Sequence, residues 1–222
     1  MKNLKVKIMK KYFLVVILVI GGLPQANAAL YSVGNVNGSG TSLNQIISDG
    51  NPVGITSTMV LTGLGNGLSA ISVTLNVSGG NNGDLYAFLS YGGTLVTLLN
   101  RVGTGMGDSI QQSYGYTTSG FNNVTLTDGS ASNIHDVQVP GSAGSYSADA
   151  GSLASFNGVN PNGTWTLFFS DMSGGDTVTS TLNGWSLEIT SVPEPVNVTL
   201  IAFGIVMLSS CIVRRLRRPR AA

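Results

Sequence analysis

Residues Leu68–Val77 read LSAISVTLNV, and from Ala70 onward small or polar side chains alternate with branched apolar ones. Successive side chains of a β-strand point to opposite faces, so one set would face a core and the other solvent. The apolar set is Ile71, Val73, Leu75 and Val77, and the other set is Ala70, Ser72, Thr74 and Asn76. The stretch therefore predicts a half-buried strand of a β-sheet.

Short strand-like runs separated by turns continue on both sides of this stretch. Residues 29–192 hold 27 of the 30 glycines, and Asn-Gly, a strong turn signal, occurs six times. No helical period survives between these breaks, which favours an all-β sandwich or barrel. The other predicted strands are Thr58–Thr62, Asp84–Ser90, Thr94–Leu99, Phe121–Leu126, Asn133–Val139, Thr164–Ser170 and Asn183–Thr190. Residues 29–56 predict one or two edge strands at most, and residues 103–120 predict a polar loop.

An apolar segment follows the predicted strands. Residues 196–213 are 18 residues without a charge, and as a helix rising about 1.5 Å per residue they would approach a ~30 Å hydrocarbon core. Residues 214–220 carry five arginines, and basic flanks of a membrane span stay on the cytoplasmic side. The segment therefore predicts a transmembrane helix with a cytoplasmic tail.

A proline box stands directly before this segment. Its residues are Val192, Pro193, Glu194 and Pro195, and the arginines on the far side include Arg214, Arg215, Arg217 and Arg218. The prolines disfavour helix in their neighbours, so the apolar helix would begin just after them. Box, apolar helix and arginine tail over residues 192–220 together resemble the PEP-CTERM sorting signal of exported Gram-negative proteins. The alternative is an ordinary C-terminal membrane anchor.

Residues 1–28 have the three parts of a secretory signal peptide. Five lysines precede an apolar run over Tyr12–Leu23, and Ala26, Asn27 and Ala28 supply a small-residue cleavage site. The predicted organisation is a signal peptide over 1–28, an edge segment over 29–56, a β-sandwich over 57–190 and the sorting signal over 192–220. The middle of the chain would then lie outside the cytoplasm.

The charges of residues 29–192 limit the classes of partner. This segment has one basic residue, Arg101, against nine acidic ones, a net charge of −8. Such a segment repels nucleic acid and anionic lipid, so we expect no nucleic-acid partner. The single cysteine, Cys211, lies in the apolar segment, which excludes both an intrachain disulfide and a cysteine nucleophile in residues 29–192.

The last third of the predicted sandwich carries a family pattern. In order along the chain, its motifs are Gly144-x-Tyr146, Leu153-x-x-Phe156-x-Gly158, Gly163-x-Trp165-x-Leu167, Asp171 and Leu182-x-x-Trp185-x-Leu187. Upstream, Gly83, Asp84 and Leu85 are followed by Ser90, Gly93 and Thr94. This pattern resembles the P domain (Homo B domain) of proprotein convertases over roughly residues 57–190. The resemblance implies a jelly-roll-like β-sandwich.

Two sets of residues are candidates for special roles. Trp165 and Trp185 lie in alternating strands, where a tryptophan usually fills the core; the alternative is a platform on which a sugar stacks. Asp84, Asp171 and Asp176 lie at strand ends or in glycine-rich turns. Aspartates there either hydrogen-bond their own turns or supply oxygen ligands to calcium. We expect turn chemistry, with no cofactor, and keep calcium as the alternative.

Catalytic chemistry has little basis in this sequence. His135 is the single histidine, no Gly-x-Ser-x-Gly motif occurs, and every lysine lies in residues 1–28. A hydrolytic triad would depend on His135, and one histidine does not make the usual zinc site. We therefore expect a protein that is not an enzyme.

These expectations favour an exported β-sandwich module of the bacterial envelope or extracellular matrix. By resemblance, the tail would hold the chain in the inner membrane until an exosortase-type protease cuts near residues 193–195. The product would reach the cell surface, outer envelope or matrix, with a link to exopolysaccharide and biofilm. One alternative is a carbohydrate-binding module that uses Tyr91, Tyr114, Tyr116 and Tyr146 with the acidic loops. Another is an accessory domain for a separate protease.

Overall fold

The computed structural model describes residues 27–107, 109–138, 143–175, 177–192 and 202–212. Residues Asn27–Val192 form one compact unit that is mostly β-sheet, which confirms the all-β prediction. The predicted signal peptide, apart from Asn27 and Ala28, lies outside the described residues, and so do Pro193, Glu194, Pro195 and the arginine tail. Residues 202–212, described by themselves, are helical. No helix within the described ranges is long and apolar enough to cross a membrane.

The described residues of the compact unit form ten strands in two sheets. They are β1 (Asn27–Gly34), β2 (Gln45–Ile47), β3 (Ile55–Leu61), β4 (Gly67–Gly79), β5 (Leu85–Tyr91), β6 (Thr94–Asn100), β7 (Phe121–Leu126), β8 (Gly144–Tyr146), β9 (Gly163–Asp171) and β10 (Ser180–Val192). The larger sheet has the order β1-β10-β4-β7-β8, with β2 also paired to β10. The smaller sheet has the order β3-β9-β5-β6. Three 3₁₀ turns (Asn82–Asp84, Ile134–Asp136 and Leu153–Phe156) and one short helix, α1 (Ser109–Tyr114), lie between strands.

The centre of the larger sheet is the antiparallel pair of β4 and β10, each 13 residues long. Leu75 pairs with Trp185 and Val73 with Leu187. The alternation predicted for β4 is confirmed at all but one position. Ile71, Val73, Leu75 and Val77 are all buried and Ser72 and Asn76 are half-buried, but Thr74 is buried as well. The period of two therefore selects the face of β4 that packs against the other sheet.

A single hydrophobic core joins the inner faces of the two sheets. Trp165 of β9 and Trp185 of β10 are both fully buried in it. The indole Nε1 of Trp185 donates a 2.9 Å hydrogen bond to Ser57 Oγ on β3, across the space between the sheets. Trp165 Nε1 donates to the Pro161 carbonyl at 2.9 Å. Each large apolar ring therefore also has a partner for its polar group.

The structure differs from the sequence predictions at several places. The strand predicted over Asn133–Val139 is wrong: Ile134–Asp136 form a 3₁₀ turn, capped by the Asn133 side chain, which accepts from the His135 amide. The predicted loop 103–120 contains α1. Residues 29–56 supply most of β1 and all of β2, which belong to the larger sheet, and the first two residues of β3, which belongs to the smaller sheet. β1 begins at Asn27, where Asn27 and Ala28 pair with Ser191 and Thr190, so the strand starts before the predicted cleavage site.

Candidate functional site

A cleft of about 330 Å³ opens at one end of the two sheets. Three segments form it: the turn before β5, the segment of α1 that continues to Thr117, and the loop after β9. The side chains and backbone that line it belong to Asn81, Asp84, Ile110, Tyr114, Thr117, Ser173, Gly174 and Gly175. Its volume is at the lower end of the range for small-ligand sites in proteins.

Two of the backbone segments that form the cleft are in direct contact beside it. The Gly83 amide donates to the Tyr116 carbonyl at 2.8 Å, and the Asn82 amide donates to the Thr118 carbonyl at 2.8 Å. A Cβ atom at Gly83 would lie 2.6 Å from the carbonyl carbon of Gly115, closer than real Cβ contacts allow. Glycine at position 83 is therefore needed for the approach of the two segments.

Arg101 connects two of the three segments that form the cleft. Its Nε atom donates to the Gly83 carbonyl at 3.3 Å, and its Nη2 atom donates to the Ser113 carbonyl at 3.1 Å. Its own backbone has φ +55°, a left-handed conformation that non-glycine residues rarely adopt. Strain of this kind persists where surrounding contacts impose it. The guanidinium therefore holds the turn before β5 beside the end of α1.

Asp84, which lines the cleft, and Asp171 lie close together, and both are buried. Asp171 pairs with Leu85 across the ladder of β9 and β5, and the Met172 amide donates to the Asp84 carbonyl at 2.7 Å. Asp171 Oδ1 accepts from the amides of Gly50 and Ser173 at 3.3 and 3.0 Å. This carboxylate thus joins the loop after β2 to the loop after β9, which is turn chemistry of the expected kind.

The calcium alternative is not tested by this geometry. Within the described ranges, no group of three or more histidine, cysteine, aspartate or glutamate side chains is placed to hold a metal ion. Asp176, the third candidate ligand, lies outside those ranges. Calcium therefore stays a prediction from the sequence.

The four tyrosines named as candidate sugar-stacking residues do not form one surface. Tyr116 is buried, and Tyr146 is half-buried against the core. Tyr91 stacks on Trp165 with ring centroids 4.2 Å apart, and its hydroxyl lies 2.6 Å from the Asn160 carbonyl oxygen. Tyr114 is 57% exposed and lines the cleft. Of this set, Tyr114 alone presents a largely exposed ring.

Ile110 is a cleft residue that the sequence analysis missed. Its side chain is 59% exposed on α1 and lines the same cleft as Tyr114. Residues 103–120 have no apolar periodicity, and a helix of six residues is held by its surroundings rather than by its own propensity. No signal in the sequence pairs Ile110 with Tyr114.

His135 lies in a separate polar cluster, with both ring nitrogens engaged. Its Nδ1 atom is 3.0 Å from Asp149 Oδ2, and its Nε2 atom is 2.9 Å from the Thr104 carbonyl oxygen. Burial lowers the pKa of His135. This effect is outweighed by the hydrogen bonds of the ring to Asp149 and to the Thr104 carbonyl, and by the negative charges of Asp149 and Asp136. The net effect raises the pKa above the ordinary value of 6.5. Among the described residues, the two ring nitrogens face the Asp149 carboxylate and the Thr104 carbonyl rather than a serine hydroxyl.

Comparisons with known proteins do not assign a family. No family model matches the chain, and a comparison with curated proteins finds no match. A crystal structure of the Aeromonas sobria serine protease in complex with its chaperone is similar, with 18% identity, a TM-score of 0.45 and coverage of 81% of this chain. A crystal structure of the serine protease of Aeromonas sobria gives 18% identity, a TM-score of 0.43 and 77% coverage. This chain spans 29% and 28% of those two chains, respectively.

Proposed function

We propose that this chain is an exported, non-enzymatic β-sandwich module of the bacterial envelope or extracellular matrix, with a C-terminal sorting signal. One observation carries the proposal: the compact unit ends at Val192, which is also the first residue of the Val-Pro-Glu-Pro box. A sorting signal must follow the folded module without interrupting it. We take the sandwich to have the jelly-roll topology of a P domain. In the sequence, the signal begins at the last residue of the sandwich, with no spacer between them.

The proposed signal implies one partner and a route. The apolar residues 196–213 would hold the chain in the inner membrane while the arginines stay in the cytoplasm. An exosortase-type membrane protease would then cut near Pro193–Pro195 and pass the sandwich to the cell surface or matrix. The net charge of −8 over residues 29–192 suits a soluble module that does not adsorb to nucleic acid or anionic lipid.

The geometry of the single histidine supports a non-enzymatic role. A general base needs a ring nitrogen within hydrogen-bond reach of the proton that it removes. In His135 one nitrogen faces Asp149 and the other faces a backbone carbonyl. Its position suits a structural link between loops. A role as an accessory domain for a separate protease is equally compatible with this arrangement.

Mass spectrometry of the protein from its native host tests the sorting proposal. We expect the mature C-terminus to lie within or beside residues 193–195, with no peptide from the arginine tail. The variant with Pro193→Ala and Pro195→Ala should keep its tail, because the box would no longer be recognised, while the length and charge of the apolar segment are unchanged. A wild-type protein that keeps residues 214–220 would contradict the proposal and indicate a permanent anchor.

The exposed ring of Tyr114 favours a second function, binding of a neutral saccharide in the cleft. A sugar ring has an apolar C–H face, which could pack on Tyr114 and Ile110, and hydroxyl groups, which could bind the polar side chains of Asn81 and Asp84. The negative charge of the module disfavours an anionic sugar. A neutral part of the host's exopolysaccharide is the proposed ligand.

Replacing Tyr114 by alanine should weaken binding to purified host exopolysaccharide by roughly tenfold, since a lost aromatic contact costs about 1 kcal/mol or more. Tyr114→Phe should retain most of the affinity, because the ring face remains. Leu30→Ala is the matched control: Leu30 is 65% exposed, but it lies on β1, outside the cleft. Equal affinity of the wild type and Tyr114→Ala, or no binding by either, would exclude this cleft as the saccharide site.

A further inference from the structure

His135 connects three segments that are distant in sequence. The ring belongs to the 3₁₀ turn Ile134–Asp136 and contacts Asp149 and Thr104, which follow β8 and β6 respectively. Asp149 Oδ2 also accepts from the Asn100 amide at 2.8 Å, and the Asp149 amide donates to the Leu98 carbonyl at 3.1 Å. The carboxylate is therefore fixed on the end of β6. The ring in turn links this fixed point to the loop that carries Thr104.

The partners of the ring make the contact with Thr104 depend on protonation. The Asp149 carboxylate and the Thr104 carbonyl are both acceptors, so only a ring with hydrogens on both nitrogens donates to each. A neutral imidazole has only one N–H hydrogen. That hydrogen stays on Nδ1, because its hydrogen bond to the charged carboxylate is stronger than one to the carbonyl. On deprotonation, Nε2 and the Thr104 carbonyl oxygen therefore become two acceptors facing each other at 2.9 Å. The contact with Thr104 is the one that is lost.

The loop that carries Thr104 supports the wall of the cleft. The Gly105 amide donates to the Gln112 carbonyl of α1 at 3.2 Å, and the Tyr116 amide donates to the Val102 carbonyl at 3.0 Å. Thr104 itself binds the Arg101 carbonyl through its amide and its hydroxyl, at 3.1 and 2.8 Å. Loop 101–105 is thus bonded to the middle of α1, between Ile110 and Tyr114, and to the backbone just after Tyr114.

The charges around the ring have one sign. Asp149 and Asp136 are the charged groups that act on it from its own turn and from the segment after β8. On loop 101–105, the guanidinium of Arg101 is directed to the carbonyls of Gly83 and Ser113 instead. Both carboxylates favour the protonated ring. A group whose pKa is raised on folding adds stability below its unfolded value of 6.5, and that stability is lost as pH rises through the folded value.

We propose that His135 is a pH-dependent latch for the cleft. The protonated ring holds Thr104 and keeps loop 101–105 and α1 in place, and the neutral ring releases Thr104 and loosens the wall that carries Tyr114. The latch itself is a property of the fold, whereas its use in ligand binding rests on the saccharide site proposed above. The cleft would then be ordered in mildly acidic surroundings and looser in alkaline ones.

NMR on the full chain in mild detergent tests the latch without any ligand. The Hε1 proton of the single histidine gives one imidazole signal, and the δ1 methyl of Ile110 reports on α1. Between pH 5.5 and about pH 9, which spans the ordinary titration range of histidine, both signals should move with one midpoint above 6.5, while the core methyl of Ile189 stays constant. In His135→Gln the pH dependence of the Ile110 methyl should disappear.

A second variant guards against a folding defect in His135→Gln. Asp149→Asn removes the charge beside the ring and should lower the midpoints of the imidazole and Ile110 signals together. The latch is overturned if the imidazole titrates while the Ile110 methyl does not move, or if that methyl keeps its midpoint when the midpoint of the imidazole shifts. Because no saccharide is present, these outcomes are independent of the binding lost in Tyr114→Ala.

Discussion

Replacing Trp185 by alanine is expected to lower the free energy of unfolding by about 3–5 kcal/mol. The side chain is fully buried, and its strand lies between β1 and β4, the two neighbours to which β10 is hydrogen-bonded over most of its length. Truncation leaves a cavity between the sheets and removes the hydrogen bond from Nε1 to Ser57 Oγ. Since a domain of this size is stable by about 5–15 kcal/mol, the loss is a large part of the total.

Urea unfolding of the full chain, followed by far-ultraviolet circular dichroism, measures this effect. Trp185→Phe should cost less, because most of the apolar volume remains. Ser57→Ala keeps the indole in place but removes its acceptor, and should cost about 1–3 kcal/mol. A change of less than 1 kcal/mol in Trp185→Ala would contradict the buried position of the ring, since such small effects are typical of surface sites.

Replacing Gly83 by alanine is expected to displace the segment 114–116 and to destabilise the protein by about 1–3 kcal/mol through overpacking. The added methyl group would lie 2.6 Å from the Tyr116 amide nitrogen and from the carbonyl carbon of Gly115. Both neighbours are backbone atoms, so no side-chain rotation relieves the contact. Gly83 does not have a positive φ, so the effect is steric rather than conformational.

Gly129→Ala is the matched control for this variant. Gly129 also lacks a positive φ, and a methyl group there would meet nothing within 4 Å. We expect Gly83→Ala, but not Gly129→Ala, to lower the unfolding midpoint, to shift the Ile110 methyl signal and to weaken saccharide binding. Equal behaviour of the two variants would show that the close approach at Gly83 does not position the cleft.

The strands were predictable where their signals are local. β7 was predicted with the bounds that the structure has, and β4, β5, β6, β9 and β10 were predicted within three residues at each end. In these strands, apolar alternation or a β-branched run is bounded by glycine or asparagine turns. The position and ends of each strand can therefore be predicted from residues that are close together in the sequence. The same reasoning failed at Asn133–Val139, because the Asn133 side chain caps a turn there instead of extending a strand.

The cleft was only partly predictable, because non-local contacts form it. Asp84 and Asp171 were singled out from the sequence, but the sequence does not show that β9 and β5 are adjacent and bring them together. Nor does it show that Gly83 packs on Gly115, or that His135 pairs with Asp149. Such contacts depend on the order of strands in the sheets, and sequence periodicity carries no record of that order.

The order of strands in the larger sheet also has a consequence for biogenesis. β1 is the first strand of the compact unit and β10 is the last, yet they pair directly, and β10 is also the neighbour of β4. A ribosome must therefore complete nearly the whole unit before this sheet can close, and contacts so distant in sequence form slowly. A nascent chain that lacks β10 leaves β1 and β4 with open edges, which are prone to aggregation. We therefore expect the larger sheet to close only after its last strand has been made.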